Sequence, residues 1–213
     1  MFEAILADHN IYLFYLINGG LENSFFNFIM PLLTNFGNFF VWAIICLLIY
    51  LFGGRLGREV AVLGLLALIL SNVLVILLKF IIAEPRPFLA LPNVDLLTPE
   101  SGSSFPSGHT ASVFAAATAI GLKYHQKAKG KKYWLIYPLL LFAMAVGFSR
   151  IYVGVHYPYD VIVGALLGVI CALIILKYED KILYSKIAHT IRINKILEFK
   201  PRDKLRRIFN KTN

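Results

Sequence analysis

The 213-residue sequence predicts an all-α protein, a polytopic membrane helix bundle of five to six spans. Three observations lead there. Hydrophobic residues make up 58% of the chain, and the mean hydropathy is +0.69, so too few polar residues remain to cover a soluble surface. Apolar runs approaching the ~20 residues that cross a bilayer recur along the chain. Lys and Arg gather in alternate connections between those runs, as they do in short cytoplasmic loops.

Residues 10–34 come first. Their segments "NIYLFYLINGG" and "SFFNFIMPLL" are each too short to span, and Gly19-Gly20 separates them. They predict an interfacial helical hairpin or a bent sixth span. Five spans follow, over 36–53, 59–82, 108–124, 133–150 and 160–177. The 53–58 connection carries Arg55 and Arg58, and the 123–132 connection carries Lys123, Lys127, Lys129, Lys131 and Lys132. After residue 176, eleven Lys and Arg stand against four acids, which is +7 of the formal +9. These three regions are expected in the cytoplasm. The 83–107 connection has Arg86 as its single positive charge and is expected outside.

Three parts result: an interfacial or bent segment at 1–35, a membrane catalytic domain at 36–177 and a basic cytoplasmic tail at 178–213. The tail's apolar residues (Ile182, Leu183, Ile187, Ile191, Ile196, Leu197) suit a helix lying on anionic headgroups. It carries no nucleic-acid-binding module, so no nucleic-acid partner is expected. Cys46 and Cys171 lie in apolar runs without disulfide or metal-ligand spacing. Glu3 and Asp8 stand where a cleavable signal needs positive charge, so none is expected.

Charged groups at the edges of spans are costly and mark functional sites. Here they form three clusters. The second span ends "SNVLVILLKFIIAEPRPF", with Ser71, Asn72, Val75 and Lys79 on one helical face. Arg86 comes seven residues after Lys79, roughly two helical turns, and Pro85 and Pro87 end the helix around it. The third span opens with "PSGH", where helix N–H groups, the Ser107 hydroxyl and close approach at Gly108 make an anion site beside His109. The last cluster, "SRIYVGVHYPYD", supplies Arg150, His156 and Asp160. A carboxylate four residues after a histidine reaches one imidazole nitrogen when the chain turns helically, leaving the other free as a nucleophile. Taken singly, each cluster also fits a bland account: snorkelling cations, a helix start, a capped outer loop. The predicted topology brings all three to the outer surface. Cations without a surplus of carboxylates suit a phosphate bound with no metal and no cofactor.

In this order and spacing, Lys79-x6-Arg86-Pro87, Pro106-Ser107-Gly108-His109 and Ser149-Arg150-x5-His156-x3-Asp160 resemble the three-part signature of the type 2 phosphatidic acid phosphatase superfamily. The resemblance spans residues 79–160 with no signature position substituted. It implies that His156 attacks phosphorus to give a phosphohistidine, oriented by Asp160. It implies that His109 protonates the leaving oxygen and then activates water. Lys79, Arg86, Ser107, Gly108 and Arg150 are implied to hold the phosphoryl oxygens. One departure stands out: members of this family commonly have six spans and a cytoplasmic N-terminus, whereas the N-terminus here is acidic.

The short chain, the "AEPRPF" variant and the lead-in "LINGGLENSFFNFIMPLLTNFGN" look like the undecaprenyl-diphosphate phosphatases associated with bacitracin resistance. The implied substrate is a polyprenyl diphosphate. Phosphatidic acid, phosphatidylglycerol phosphate and diacylglycerol diphosphate are alternatives, as is a lipid phosphotransferase of the same family. A vanadium haloperoxidase shares the anion pocket, but its relatives are soluble. A lipid-binding protein with a relict pocket would not keep every catalytic side chain.

Overall fold

A computed structural model of the protein describes residues 2–127 and 135–184. Among them, the helices are α1 (Phe2–Asn18), α2 (Ser24–Thr34), α3 (Phe39–Phe52), α4 (Gly54–Ile82), α5 (Pro87–Ala90), α6 (Gly108–Lys127), α7 (Ile136–Tyr152), α8 (Pro158–Lys177) and α9 (Glu179–Tyr184). The predicted all-α architecture is therefore present, and no strand occurs among the described residues.

Helix α6 is the centre of the bundle, packed against α4, α7 and α8. Its small residues explain the closeness: Ala111, Ala115, Ala116, Ala117 and Ala119 are all fully buried. Helix α8 approaches through Gly164 and Gly168. A Cβ on either would stand 2.6 Å from the Ser107 carbonyl oxygen or 2.4 Å from that of Ala111. This contact sets the start of α8 beside the start of α6, where the Ser107 N–H donates to the Asp160 carbonyl (3.0 Å).

The outer faces are apolar. Phe80 is 87% exposed and Ile81 73%, and Phe40, Ile76, Leu141 and Leu166 are likewise uncovered. Such faces belong against lipid, and the protein is a membrane protein. Helices α4 and α8 are long and apolar enough to cross a bilayer, while α2 with α3 qualifies only as one span bent by 61°. Helix α7 is apolar but shorter. Helix α6 has 20 residues, about 30 Å, yet it is rich in Ala, Gly, Ser and Thr. Most of its residues are buried against neighbouring helices.

The break expected at Gly19-Gly20 is present, and a sharp bend that was not expected follows it. Residues 19–23 separate two independent helices, and the bend falls at Asn35–Asn38, between α2 and α3. A 3-10 turn over Asn35–Gly37 makes it. Asn38 caps α3 by accepting from the Phe40 N–H (2.8 Å), and the Trp42 Nε1–H holds the Phe36 carbonyl (2.7 Å). Helix α1 is fixed by Asn18, whose Nδ2 donates to the carbonyls of Asp95 (2.9 Å) and Tyr152 (2.8 Å). The predicted 53–58 connection is shorter than expected: Gly53 alone separates α3 from α4, with Gly54 at φ +66°.

Opposite the signature motifs, Lys123 is buried with Glu179 (2.6 Å) and Glu59 (3.7 Å), and the Tyr184 hydroxyl donates to Glu59 (2.7 Å). These contacts dock α9, the described start of the basic tail, with Leu183 packed on Leu63 and Leu176. The rest of the tail lies outside the described residues.

Candidate active site

The end of α4, the start of α6, the end of α7 and the start of α8 meet at one end of the bundle with the 83–107 connection. Every predicted site residue is found there. Lys79 and Arg86 come to one side, as their spacing allows, but not along one continuous helix. Helix α4 stops at Ile82, Ala83 turns left-handed (φ 51°), and Arg86 sits in extended backbone before Pro87 opens α5. The two cations converge because the chain turns back. Lys79 Nζ donates to the carbonyls of Ser103 and Ser104, the latter at 3.1 Å.

Arg86 is 2% exposed. Its Nε donates to the Gly102 carbonyl (2.9 Å), Nη2 to that of Ser101 (2.9 Å) and Nη1 to that of Val155 (3.0 Å). One guanidinium thereby joins the connection before α6 to the turn before α8. Its Nη1 also lies 3.4 Å from His156 Nε2.

His156 is fully buried in the turn between α7 and α8. Its Nδ1 stands 3.2 Å from Asp160 Oδ2. The same oxygen accepts from the Tyr157 N–H (2.9 Å) and from Ser104 Oγ (2.5 Å). These donors hold Asp160 as an acceptor for an Nδ1–H, which leaves the Nε2 lone pair facing the cations. Burial first, then the charges of Arg150, Arg86 and Lys79, holds the His156 imidazole well below its ordinary 6.5. It is therefore neutral, as a nucleophile requires.

His109 opens α6 and stays partly accessible, 25% exposed. Ser107 is buried before the helix, its Oγ accepting from the Thr110 hydroxyl (2.9 Å) and, more distantly, from the Thr110 N–H (3.4 Å). Gly108 faces α4, and a Cβ there would meet Val75 at 3.4 Å. Arg150 comes from the last turn of α7 and bonds Thr34 Oγ1.

One carboxylate went unanticipated: Glu100 occupies the midst of the cations. It lies 3.2 Å from Arg86 Nη2 and 3.8 Å from His109 Nδ1, and it pairs with Arg150. Ser104, Glu100, Thr34 and Gly37 were all missed as site residues. Ser104 precedes "FPSGH" by one residue and was open to suspicion. Glu100, Thr34 and Gly37 carry no local signal, since the fold alone brings them in.

A buried histidine held by a carboxylate, an accessible histidine and three cations thus gather at one end of the bundle, an arrangement suited to binding a phosphoryl group. The family model that matches the sequence, over residues 60–184, is the PAP2 superfamily. The chain belongs to that superfamily. Among its PAP2 relatives, the undecaprenyl-diphosphatase of Bacillus subtilis (strain 168) is 32% identical over 75% of this chain and 78% of its own. A Bacillus licheniformis protein named as a bacitracin transport permease is 34% identical over 87% of this chain and 92% of its own. The PAP2 fold is matched in the crystal structure of Aquifex aeolicus LpxE. That likeness has a TM-score of 0.70 and 37% identity, covering 79% of this chain and 95% of the other.

Proposed function

We propose that the protein hydrolyses the terminal phosphate of a polyprenyl diphosphate, undecaprenyl diphosphate foremost, through a phosphohistidine on His156. The observation that carries this is the His156 arrangement: Nδ1 on Asp160, Nε2 on the cation side, the ring buried and neutral. Family membership and the curated relatives support a lipid phosphate as the substrate class.

The substrate's phosphate displaces the Glu100 carboxylate and takes its partners, Arg86 and Arg150, with Lys79, Ser107 and the Gly108 N–H completing the cradle. His156 Nε2 attacks phosphorus. The P–O bond to the prenyl phosphate breaks as His109 gives that oxygen a proton. Charge spreading over the equatorial oxygens is met by the fixed cations. His109, now neutral, takes a proton from water. The water oxygen attacks the phosphohistidine, the P–N bond breaks, and inorganic phosphate leaves with His156 restored. No step calls for a metal, and EDTA is expected to leave turnover intact.

In this proposal α4, α6, α7 and α8 each cross the membrane, α2 with α3 makes one bent span, and α1 lies at the outer interface. The basic connections at the opposite end favour the cytoplasm, so the pocket opens to the extracytoplasmic face of the cell membrane. The test is phosphate release from a panel of purified lipid phosphates in detergent: undecaprenyl diphosphate, phosphatidic acid, phosphatidylglycerol phosphate and diacylglycerol diphosphate. Undecaprenyl diphosphate is expected to give the highest kcat/KM, and His156→Ala to abolish release while membrane insertion persists. Robust turnover by His156→Ala would overturn the mechanism, and preference for a glycerolipid would overturn the substrate.

A further inference from the structure

The break between α2 and α3 lies outside all three signature motifs, yet it reaches two of the site's working groups. Thr34, the last residue of α2, is 2% exposed, and its Oγ1 accepts from Arg150 Nη1. Arg150 is itself 3% exposed. Among the described residues its remaining partner is the Glu100 carboxylate, while Nε has none. Once phosphate displaces Glu100, Thr34 is the neutral anchor that keeps the guanidinium aimed into the pocket. Three residues on, Gly37 packs against His109. A Cβ at Gly37 would stand 2.6 Å from His109 Cβ, 3.0 Å from its Cδ2 and 3.0 Å from Val146 Cγ1. Only a residue without a side chain lets His109 take its place.

The turn bearing these residues is held from both sides. Asn35 Nδ2 donates to the Pro31 carbonyl (3.0 Å), and the Trp42 indole fixes the Phe36 carbonyl (2.7 Å). A span interrupted inside a membrane exposes backbone polar groups, and that is tolerated where protein buries them or a cavity needs them.

We infer that the α2–α3 break is a fourth, positioning part of the active site, in which Thr34 orients Arg150 for the phosphate and Gly37 sets the place of His109. This rests on the phosphatase proposed above, but its first readout does not need turnover. Tungstate, a tetrahedral dianion, is titrated by calorimetry into the purified full-length protein and three variants. Thr34→Val, which keeps the shape and removes the acceptor, is expected to weaken tungstate binding about tenfold, the worth of one charge-assisted hydrogen bond. Thr34→Ser restores the acceptor and is expected to restore the affinity. Gly37→Ala is expected to keep tungstate affinity near wild type while kcat falls about a hundredfold, within the range that a general acid–base contributes. Unchanged affinity in Thr34→Val, no rescue by Thr34→Ser, or parallel loss of binding and kcat in Gly37→Ala overturns the inference. So does a wild-type protein that binds no tungstate. A wild type that binds tungstate but hydrolyses no lipid phosphate fails the functional proposal alone, leaving the Thr34 pair to decide the Arg150 contact.

Discussion

Replacing Glu100 by Gln should make this protein bind phosphate more tightly. The carboxylate sits where a phosphoryl group is expected, 3.2 Å from Arg86 Nη2 and paired with Arg150. At 3.2 Å, one such pair has a Coulomb attraction of about 5 kcal/mol at an effective dielectric of ~20. Glu100 is 28% exposed, so solvent offsets much of this. A net value of about 1.5–3 kcal/mol is reasonable for hydrogen bonding to a charged group. An incoming phosphate must overcome that attraction before it gains its own. Gln keeps the shape of Glu and removes the charge, so inhibition by inorganic phosphate should tighten at least ~10-fold. The lipid's KM should fall in parallel with no gain in kcat, because ground-state and transition-state phosphate benefit alike. The assay is competitive inhibition of lipid phosphate hydrolysis by inorganic phosphate, wild type against Glu100→Gln, at fixed ionic strength. An unchanged or weakened inhibition constant would mean that Glu100 does not compete for the cations.

Three further outcomes follow from the same geometry. Ser104→Ala removes the 2.5 Å bond to Asp160 Oδ2 without touching substrate, so kcat should fall about tenfold with KM nearly constant in steady-state assays. Since burial and neighbouring cations depress the His156 pKa below 6.5, its protonation on acidification should remove activity only below that pH. The acid limb of kcat/KM, corrected for ionisation of the substrate phosphate, should therefore lie below 6.5, and a limb above it would contradict a buried neutral nucleophile. Lys123→Met removes the buried cation between Glu179 and Glu59 at the far end of the bundle, leaving Glu59 with the exposed Arg55 at 3.8 Å. Thermal denaturation in detergent should show a loss of about 3 kcal/mol, while activity at 25 °C is kept.

The elements that chemistry depends on were legible because each is written locally. Pro106-Ser107-Gly108-His109 opens α6 as a helix start must, and Asp160 reaches His156 because Pro158 begins α8 between them. The two helices long and apolar enough to cross a bilayer, α4 and α8, were legible too, since each is written as an unbroken apolar run. What escaped depends on non-local packing. The bend at Asn35–Asn38 is fixed by Trp42 and by what the turn touches, not by the Gly pair at 19–20, which only ends α1. Lys79 and Arg86 meet through a left-handed turn at Ala83 that no periodicity announces. Thr34 meets Arg150 across 116 residues of sequence, Gly37 meets His109 from a different helix break, and Glu100 lies in a connection with no helical or motif pattern, so nothing in their own neighbourhood marks them. A signature of cations and histidines can specify what reacts. Where the anion must displace a carboxylate, and where a threonine and a glycine aim the reacting groups, the information lies in the packing of α2 and α3 against α6 and α7.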